Sequence, residues 1–492
     1  MSKSVFIVGF LVYSIIMLVI GYIYSKKQES GATYFLGDRK ISAGLIALTF
    51  TASWFGPTGA IVSTGKAFQG GINSIWLIAG PTWIAILLIT LLFAKKMRRV
   101  SEAENIYTLA EVFKLRYSNT SAVLMYICVL AYLLALSVAT FLGMAKALVA
   151  LTGIAWNIAL LFSAGITITY VVMGGYMSVI ITDAIQTVLI VVGMIIFAIM
   201  SVNRAGGFAG IRDTVGATTP GYLDLFHNFG DFLPLIIAFG FGWIASQEIF
   251  QRFASAKSEK EAFKGGIWAL AINIPLYMLP IIAGLGASVW LPPLISKLGA
   301  QAPGPESMIF WAASNALGGF GVFLFVTIMA SVMSSADTFI NSASMTVVRD
   351  IYFGHFAKEK DVDAKQMVKI SRYGTLIFCI IVLIVCFAFT SILDALFLGS
   401  DILVCGMLIP LVGAFWWKRA TAFGANISVI GGVLFVLGDF ILHRAGVQVP
   451  WPSYPHSLYV GVILSLALFV VGSLMTAETE ESRVKPFFLK GE

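Results

Sequence analysis

The stretch SVMSSADTFINSAS, Ser331 to Ser344, sets hydroxyls and a carboxylate into a long apolar run. Ser331, Ser334, Ser335 and Thr338 stand at i, i+3, i+4 and i+7, so a helix projects all four from one face. Such a stripe can let helices pack closely and hydrogen-bond across the contact. It can equally supply neutral oxygens that replace the hydration shell of a hard monovalent cation such as sodium without trapping it. Two acids widen the choice. Asp183, in MSVIITDAIQTVLIV, and Asp337 lie inside apolar segments, where an ionised carboxylate costs roughly 3 kcal/mol unless it is paired. Either could be a cation ligand, a proton carrier or a protonated structural donor. Asp394, Asp401 and Asp439 are expected nearer helix ends or in pairs across helices.

A ligand site needs more than one helix face, and two other apolar runs are interrupted. LIALTFTASWFGPTGAIVSTG carries Gly56, Pro57 and Gly59 near its middle. Pro57 has no amide proton for the helix ladder, so nearby carbonyls lose partners and become available to a ligand. Five spans later, in LIIAFGFGWIASQEIFQRF, Gly240 and Gly242 precede the polar run Ser246, Gln247 and Glu248. Single breaks of this kind occur as packing kinks in membrane helices. A pair at corresponding places in two halves points to an inverted-repeat transporter with its site at mid-membrane.

The elements that must hold these residues are membrane helices. A chain of 492 residues with 59% hydrophobic and 12% charged residues, and a mean hydropathy of +0.91, is far more apolar than a soluble domain. Hydropathy and the breaks between apolar runs predict thirteen spans, at 4–25, 41–68, 72–94, 120–151, 156–174, 177–202, 231–253, 264–291, 319–348, 367–390, 392–416, 420–442 and 456–476. The first is read as a retained helix, since no small-residue cleavage site follows it. TLAEVFKLRY, after the third span, reads as a short amphipathic surface helix.

Charge then orients the bundle. With the N-terminus outside and the C-terminus cytoplasmic, the inner loops hold most of the 32 lysines and arginines, among them Lys26, Lys27, Arg39, Arg98, Arg99, Arg252, Lys257, Arg349, Lys358, Lys360, Arg483 and Lys490. The exceptions are Lys3, Lys66, Lys146, Arg204, Arg212, Lys297 and Arg444, of which only Lys146 falls within a span. The net charge of +7 is thus a topology signal, and no nucleic-acid partner is needed to explain it. Cys128, Cys379, Cys386 and Cys405 lie in apolar segments without metal-ligand spacing, and the four histidines are scattered. With no nucleophile elbow or phosphate loop either, no enzyme is expected.

The run SSADTFINSASMTVVRDIY resembles the ninth-helix motif of the sodium/solute symporter family, which includes sodium-coupled glucose, proline, pantothenate, sialic acid and choline transporters. MGGYMSVIITDAIQ resembles that family's GG...A...TD..Q signature, and TASWFGPTG aligns with its broken helix. The resemblance covers nearly the whole chain. It implies an all-α, leucine-transporter-type fold: an extra N-terminal helix and loop at 1–40, inverted five-helix repeats at 41–202 and 231–416, and two further helices with a short tail at 417–492. It also implies sodium as the coupling ion for uptake of a small polar solute by alternating access in the plasma membrane, with no obligatory protein partner.

Carried over by position, the main sodium site would use the backbone carbonyls of Ala52, Phe55 and Ser331 with the hydroxyls of Ser334 and Ser335. Some relatives hold a second sodium near the carboxylate matching Asp183. Thr338 fits that pattern, while Asp337 stands where those members have a hydroxyl. The expected solute pocket is lined by Trp54, Gly56, Ser246, Gln247 and Glu248. TASW, FQRFAS and SSAD look most like the choline-transporting branch, and Trp54 matches one wall of its aromatic cage. Ser246 and Leu134 stand where an aromatic cage would need rings, so an amino acid, a carboxylate or a small cation are all compatible. A proton-coupled carrier using Asp183 or Asp337, and a transporter-like solute receptor, are the alternative readings.

Overall fold

The computed structural model describes residues 3–25, 36–298, 301, 304–357, 362–389 and 391–488. Lys26, Lys27, Lys358, Lys360 and Lys490 of the charge pattern lie outside the described residues. Among the described residues, twelve helices are long and apolar enough to cross a membrane, and a bent pair, Phe229–Ala245 and Gln247–Ser255, makes a thirteenth span with a 44° kink. Each coincides with a span expected from hydropathy, because in hydrocarbon a backbone can satisfy its own polar groups only as a helix.

Burial ranks the spans. The second, Ala43–Gly70, has 89% of its apolar window buried, against 28% for the twelfth, Ala422–Arg444, and 33% for both the first, Lys3–Ile23, and the thirteenth, Ser457–Met475. The broken second span is therefore the axis of the bundle, and the first, twelfth and thirteenth spans lie at its periphery. The ninth span, Gly319–Phe356, packs on the second, on the fourth, Asn119–Thr152, and on the continuous helical run Trp156–Arg204 that holds the fifth and sixth. That run turns at Gly175, whose φ of 60° only glycine adopts at little cost. The eighth span, Glu259–Lys297, closes the other side of the second.

The inner ends of the two broken spans are tied together. Ile41 donates its amide to the Ser255 carbonyl at 3.1 Å and accepts from Lys257 at 3.0 Å. Arg39 donates to the Ala254 carbonyl at 3.1 Å, and Arg98 to that of Ala256 at 2.6 Å. The segment expected to lie on the surface behaves differently. Leu109–Arg116 is a helix with a capping box between Thr108 and Glu111, but Leu109, Val112, Phe113 and Arg116 are all buried. Arg116 donates to the carbonyls of Ala414, Trp417 and Lys418 at the end of the eleventh span, where carbonyls run out of intrahelical partners. Arg116, and Glu111 through Arg349, are thus spent on protein, while Lys114 stays exposed.

Close helix approach depends on particular glycines. A Cβ on Gly432 would lie 1.8 Å from the Cys405 carbonyl oxygen, whereas one on Gly438, two turns further along, would meet nothing within 4 Å. Gly432→Ala is therefore expected to cost about 1–3 kcal/mol, read as a fall in melting temperature of the purified protein. Gly438→Ala should leave that temperature unchanged or slightly raised.

Candidate functional site

Proline and glycine together open the second span. Gly56 takes φ 42° and ψ −161°, Pro57 brings no amide, and the helix resumes through a widened turn at Thr58–Val62. The ninth span lies against this opening with its hydroxyl face. Ser331 Oγ donates to the Gly56 carbonyl at 2.7 Å, Ser334 Oγ to that of Ala52 at 2.9 Å, and Ser335 Oγ to that of Ser53 at 2.7 Å. Ser334 also reaches the Ser331 carbonyl at 2.9 Å. Four of the five expected sodium ligands, on Ala52, Ser331, Ser334 and Ser335, are thus brought into direct contact. The fifth, the Phe55 carbonyl, accepts from the Thr58 amide within the same break. Every one of these oxygens is neutral, a donor set suited to sodium that must later leave. A Cβ on Gly56 would come 2.6 Å from Ser335 Oγ, so the approach needs glycine for space as well as for its φ.

The seventh span breaks at Ser246, which is extended at φ −82° and ψ 131° and leads into the half-helix Gln247–Ser255. Trp54, Ser246, Gln247 and Glu248 are all buried. The Glu248 carboxylate accepts from Trp54 Nε1 at 3.4 Å and from the Tyr132 hydroxyl at 2.9 Å, and that hydroxyl in turn accepts the Gln247 amide at 2.6 Å. Trp54 is flanked by Phe50 and Trp243, with ring centroids 4.7 and 4.8 Å away, and its carbonyl accepts from Tyr277 at 2.6 Å. Gln247 faces the other way, its side chain accepting from the Leu109 amide at 2.7 Å. Ser246 Oγ has no hydrogen-bond partner among the described residues.

Tyr132, two residues before Leu134 on the fourth span, stands outside the pocket expected from the sequence. The signal was present: Tyr132 carries the only polar group from Ala131 to Leu136, in a helix where a buried hydroxyl needs a partner.

The residues of the second cation site are divided. Thr338 and Asp183 meet, together with Thr49 and Ser53 of the second span, around Arg252. The Arg252 guanidinium donates to Thr338 Oγ1 at 2.7 Å, to Thr49 Oγ1 at 3.1 Å, to Ser53 Oγ, and to Asp183 Oδ2 at 3.4 Å. Thr49 also donates to Asp183 Oδ2. Asp337 is fully buried one residue along, about 100° round the helix from Thr338, within electrostatic reach of Tyr13 on the first span. Arg252 was placed with the cytoplasmic cations by charge counting, yet it is 1% exposed inside the bundle. Asp394 pairs with Arg444 at 3.7 Å, and Asp439 accepts from Trp451 and Ser457. With Asp401 they line a separate cavity of about 370 Å³.

Comparison with known proteins places this geometry. Residues 34–432 match the sodium:solute symporter family. The chain is 25% identical to the osmoregulated proline transporter OpuE of Bacillus subtilis, covering 94% of each sequence. It is 28% identical to a sodium/proline symporter of Staphylococcus aureus over 87% of this chain and 84% of that one. Among solved structures, a Na+-coupled sialic acid symporter in a substrate-bound, outward-open state superposes with a TM-score of 0.82 at 19% identity, covering 97% of this chain and 99% of that one. A nucleobase-cation-symport-1 family transporter in a closed conformation superposes at 0.57 with 10% identity, over 92% and 97% of the two chains. The fold is of the leucine-transporter type.

The contact at the break generates a direct test. Gly56→Ala both forces an unfavourable φ and pushes Ser335 away. It is expected to abolish the stabilisation by sodium of the purified protein in a thermal-shift assay while leaving a folded, monodisperse protein.

Proposed function

Since the chain belongs to the sodium:solute symporter family and is a sodium-coupled symporter of a small organic solute, we propose that it carries a small zwitterionic amino or imino acid, proline first among them, into the cell. The observation that supports this solute class is the buried carboxylate of Glu248 at the break of the seventh span, beside the Trp54 indole. The hydrogen bonds to its carboxylate come from neutral donors, Trp54 and Tyr132, and the neighbouring Arg252 donates to the Glu248 backbone carbonyl, so a solute's cationic nitrogen can pair with the carboxylate itself. The Ser246 hydroxyl, without a hydrogen-bond partner among the described residues, offers a donor to a solute carboxylate where the half-helix Gln247–Ser255 begins. Trp54 and Gly56 would supply the second span's side of the pocket. The proline transport named for the two relatives agrees with this chemistry.

Sodium would be held by the carbonyls of Ala52, Phe55 and Ser331 and the hydroxyls of Ser334 and Ser335. The hydroxyls now donate to carbonyls; an ion between the second and ninth spans would take their lone pairs instead and join the same two helices more strongly. Each sodium crossing 100 mV inward gains about 2.3 kcal/mol, and reciprocal linkage makes solute and ion tighten one another's binding. The chain is a multi-pass membrane protein, and the excess of cationic residues in alternate loops supports an N-terminus outside and a C-terminus in the cytoplasm.

Proteoliposomes test the reading. An inward sodium gradient should drive accumulation of labelled proline. Ser335→Ala, which deletes one ligand worth ~1.4 kcal/mol, should raise the half-saturating sodium concentration ~10-fold. Glu248→Gln should weaken proline binding ~10-fold or more by removing a charged partner worth about 1.5–3 kcal/mol. Sodium-driven accumulation of sugars or dicarboxylates but not of amino acids would overturn the solute assignment, and uptake driven by a pH gradient and indifferent to sodium would overturn the coupling.

A further inference from the structure

We infer that Arg252 is this transporter's second cation: its guanidinium fills the place at Asp183, Ser53 and Thr338 where some members of the family hold a second sodium, so that place takes no ion. The inference goes beyond the reading above and does not depend on which solute is carried.

The residues do not fit a sodium ion there. A sodium needs several oxygens whose lone pairs converge on one point. Here those lone pairs are already engaged by a fixed cation. Arg252 Nη2 is bonded to Thr338 Oγ1 at 2.7 Å and Thr49 Oγ1 at 3.1 Å, also to Ser53 Oγ, and lies 3.4 Å from Asp183 Oδ2. The other terminal nitrogen, Nη1, donates to the Glu248 carbonyl at 3.0 Å, which fixes the guanidinium at the root of the broken seventh span. Ser53 and Thr338 also hydrogen-bond to each other at 2.8 Å. Of the Thr49, Ser53, Thr338 and Asp183 oxygens gathered around Arg252, Asp183 Oδ1 alone makes no hydrogen bond among the described residues, and a single ligand does not make a sodium site.

Electrostatics points the same way. Asp183 is 0% and Arg252 1% exposed. A carboxylate at membrane depth is tolerated when paired, and this one has a positive partner built into the chain. A sodium ion bound to the same hydroxyls would sit within a few ångströms of the guanidinium, in surroundings that screen repulsion poorly. Arg252 also touches the second, sixth and ninth spans from the seventh, so it joins the helices that a sodium would have joined. Arginine stays charged in proteins, which makes this cation permanent, whereas a sodium exchanges with each cycle.

Counting sodium ions on the purified full-length protein by equilibrium binding of radioactive sodium, without solute, tests this directly. Wild type and Asp183→Asn are expected to bind the same number of ions, and Arg252→Lys, which keeps a charge, should match them. Arg252→Gln should bind one more than wild type, and the Arg252→Gln/Asp183→Asn double variant should lose that extra ion. A folded Asp183→Asn protein that binds one ion fewer than wild type would overturn the inference, as would a folded Arg252→Gln protein with no additional ion. Should Arg252→Gln fail to fold, the Asp183→Asn count alone decides. Failure of the main sodium site would register elsewhere, as an unchanged count in Ser335→Ala.

Discussion

A regular helix spends its carbonyls on its own amides and at membrane depth has none to offer. The second span escapes that rule at Gly56 and Pro57, and the ninth span meets the released carbonyls with Ser331, Ser334 and Ser335. This contact governs the rest of the architecture. It requires the ninth span to press its hydroxyl face onto the most buried helix of the bundle, and it requires glycine at position 56, because any Cβ there would collide with Ser335. The eighth span then backs the break through Tyr277 on the Trp54 carbonyl, and the fourth brings Tyr132 against the second broken helix.

Around that contact, buried charge is sorted by role. The oxygens offered to sodium are all neutral, which favours an ion that binds and leaves. The charged groups are kept a turn or two away. Asp183 faces Arg252 and the hydroxyls of Thr49, Ser53 and Thr338. Glu248 faces the indole of Trp54 and the phenol of Tyr132. A pair such as Asp183 and Arg252 contributes little net stability over apolar residues of the same shape, since desolvation offsets attraction, but breaking it would strand a charge. Its value lies in register: one guanidinium holds four spans in a defined relation.

Much of this was legible from residue order. The span count, the two breaks and the hydroxyl stripe follow from local rules: hydropathy over a bilayer's thickness, the missing amide of proline, and the 3.6-residue period that puts Ser331, Ser334, Ser335 and Thr338 on one face. Leu109–Arg116 was recognisable as a helix by its amphipathic pattern, yet its burial was not, because that periodicity does not say whether the polar face meets water, headgroups or the carbonyls of another helix. Arg252 shows the same ambiguity more sharply. An arginine near the end of an apolar run looks like a loop cation to any charge count, and only the 44° bend of the seventh span turns it inward.

What the sequence determined by itself is therefore whatever one helix can express alone: where it crosses, where it breaks, and which residues share its face. The partners were decided by tertiary structure. Ser335 with Ser53, Tyr132 with Glu248, and Thr338 with Asp183 through Arg252 lie more than a hundred residues apart in most cases or join different spans throughout. The physical reason is that a buried polar group in lipid must find a partner, but its own helix does not specify which neighbour supplies one. That choice depends on how thirteen helices pack around the broken second span.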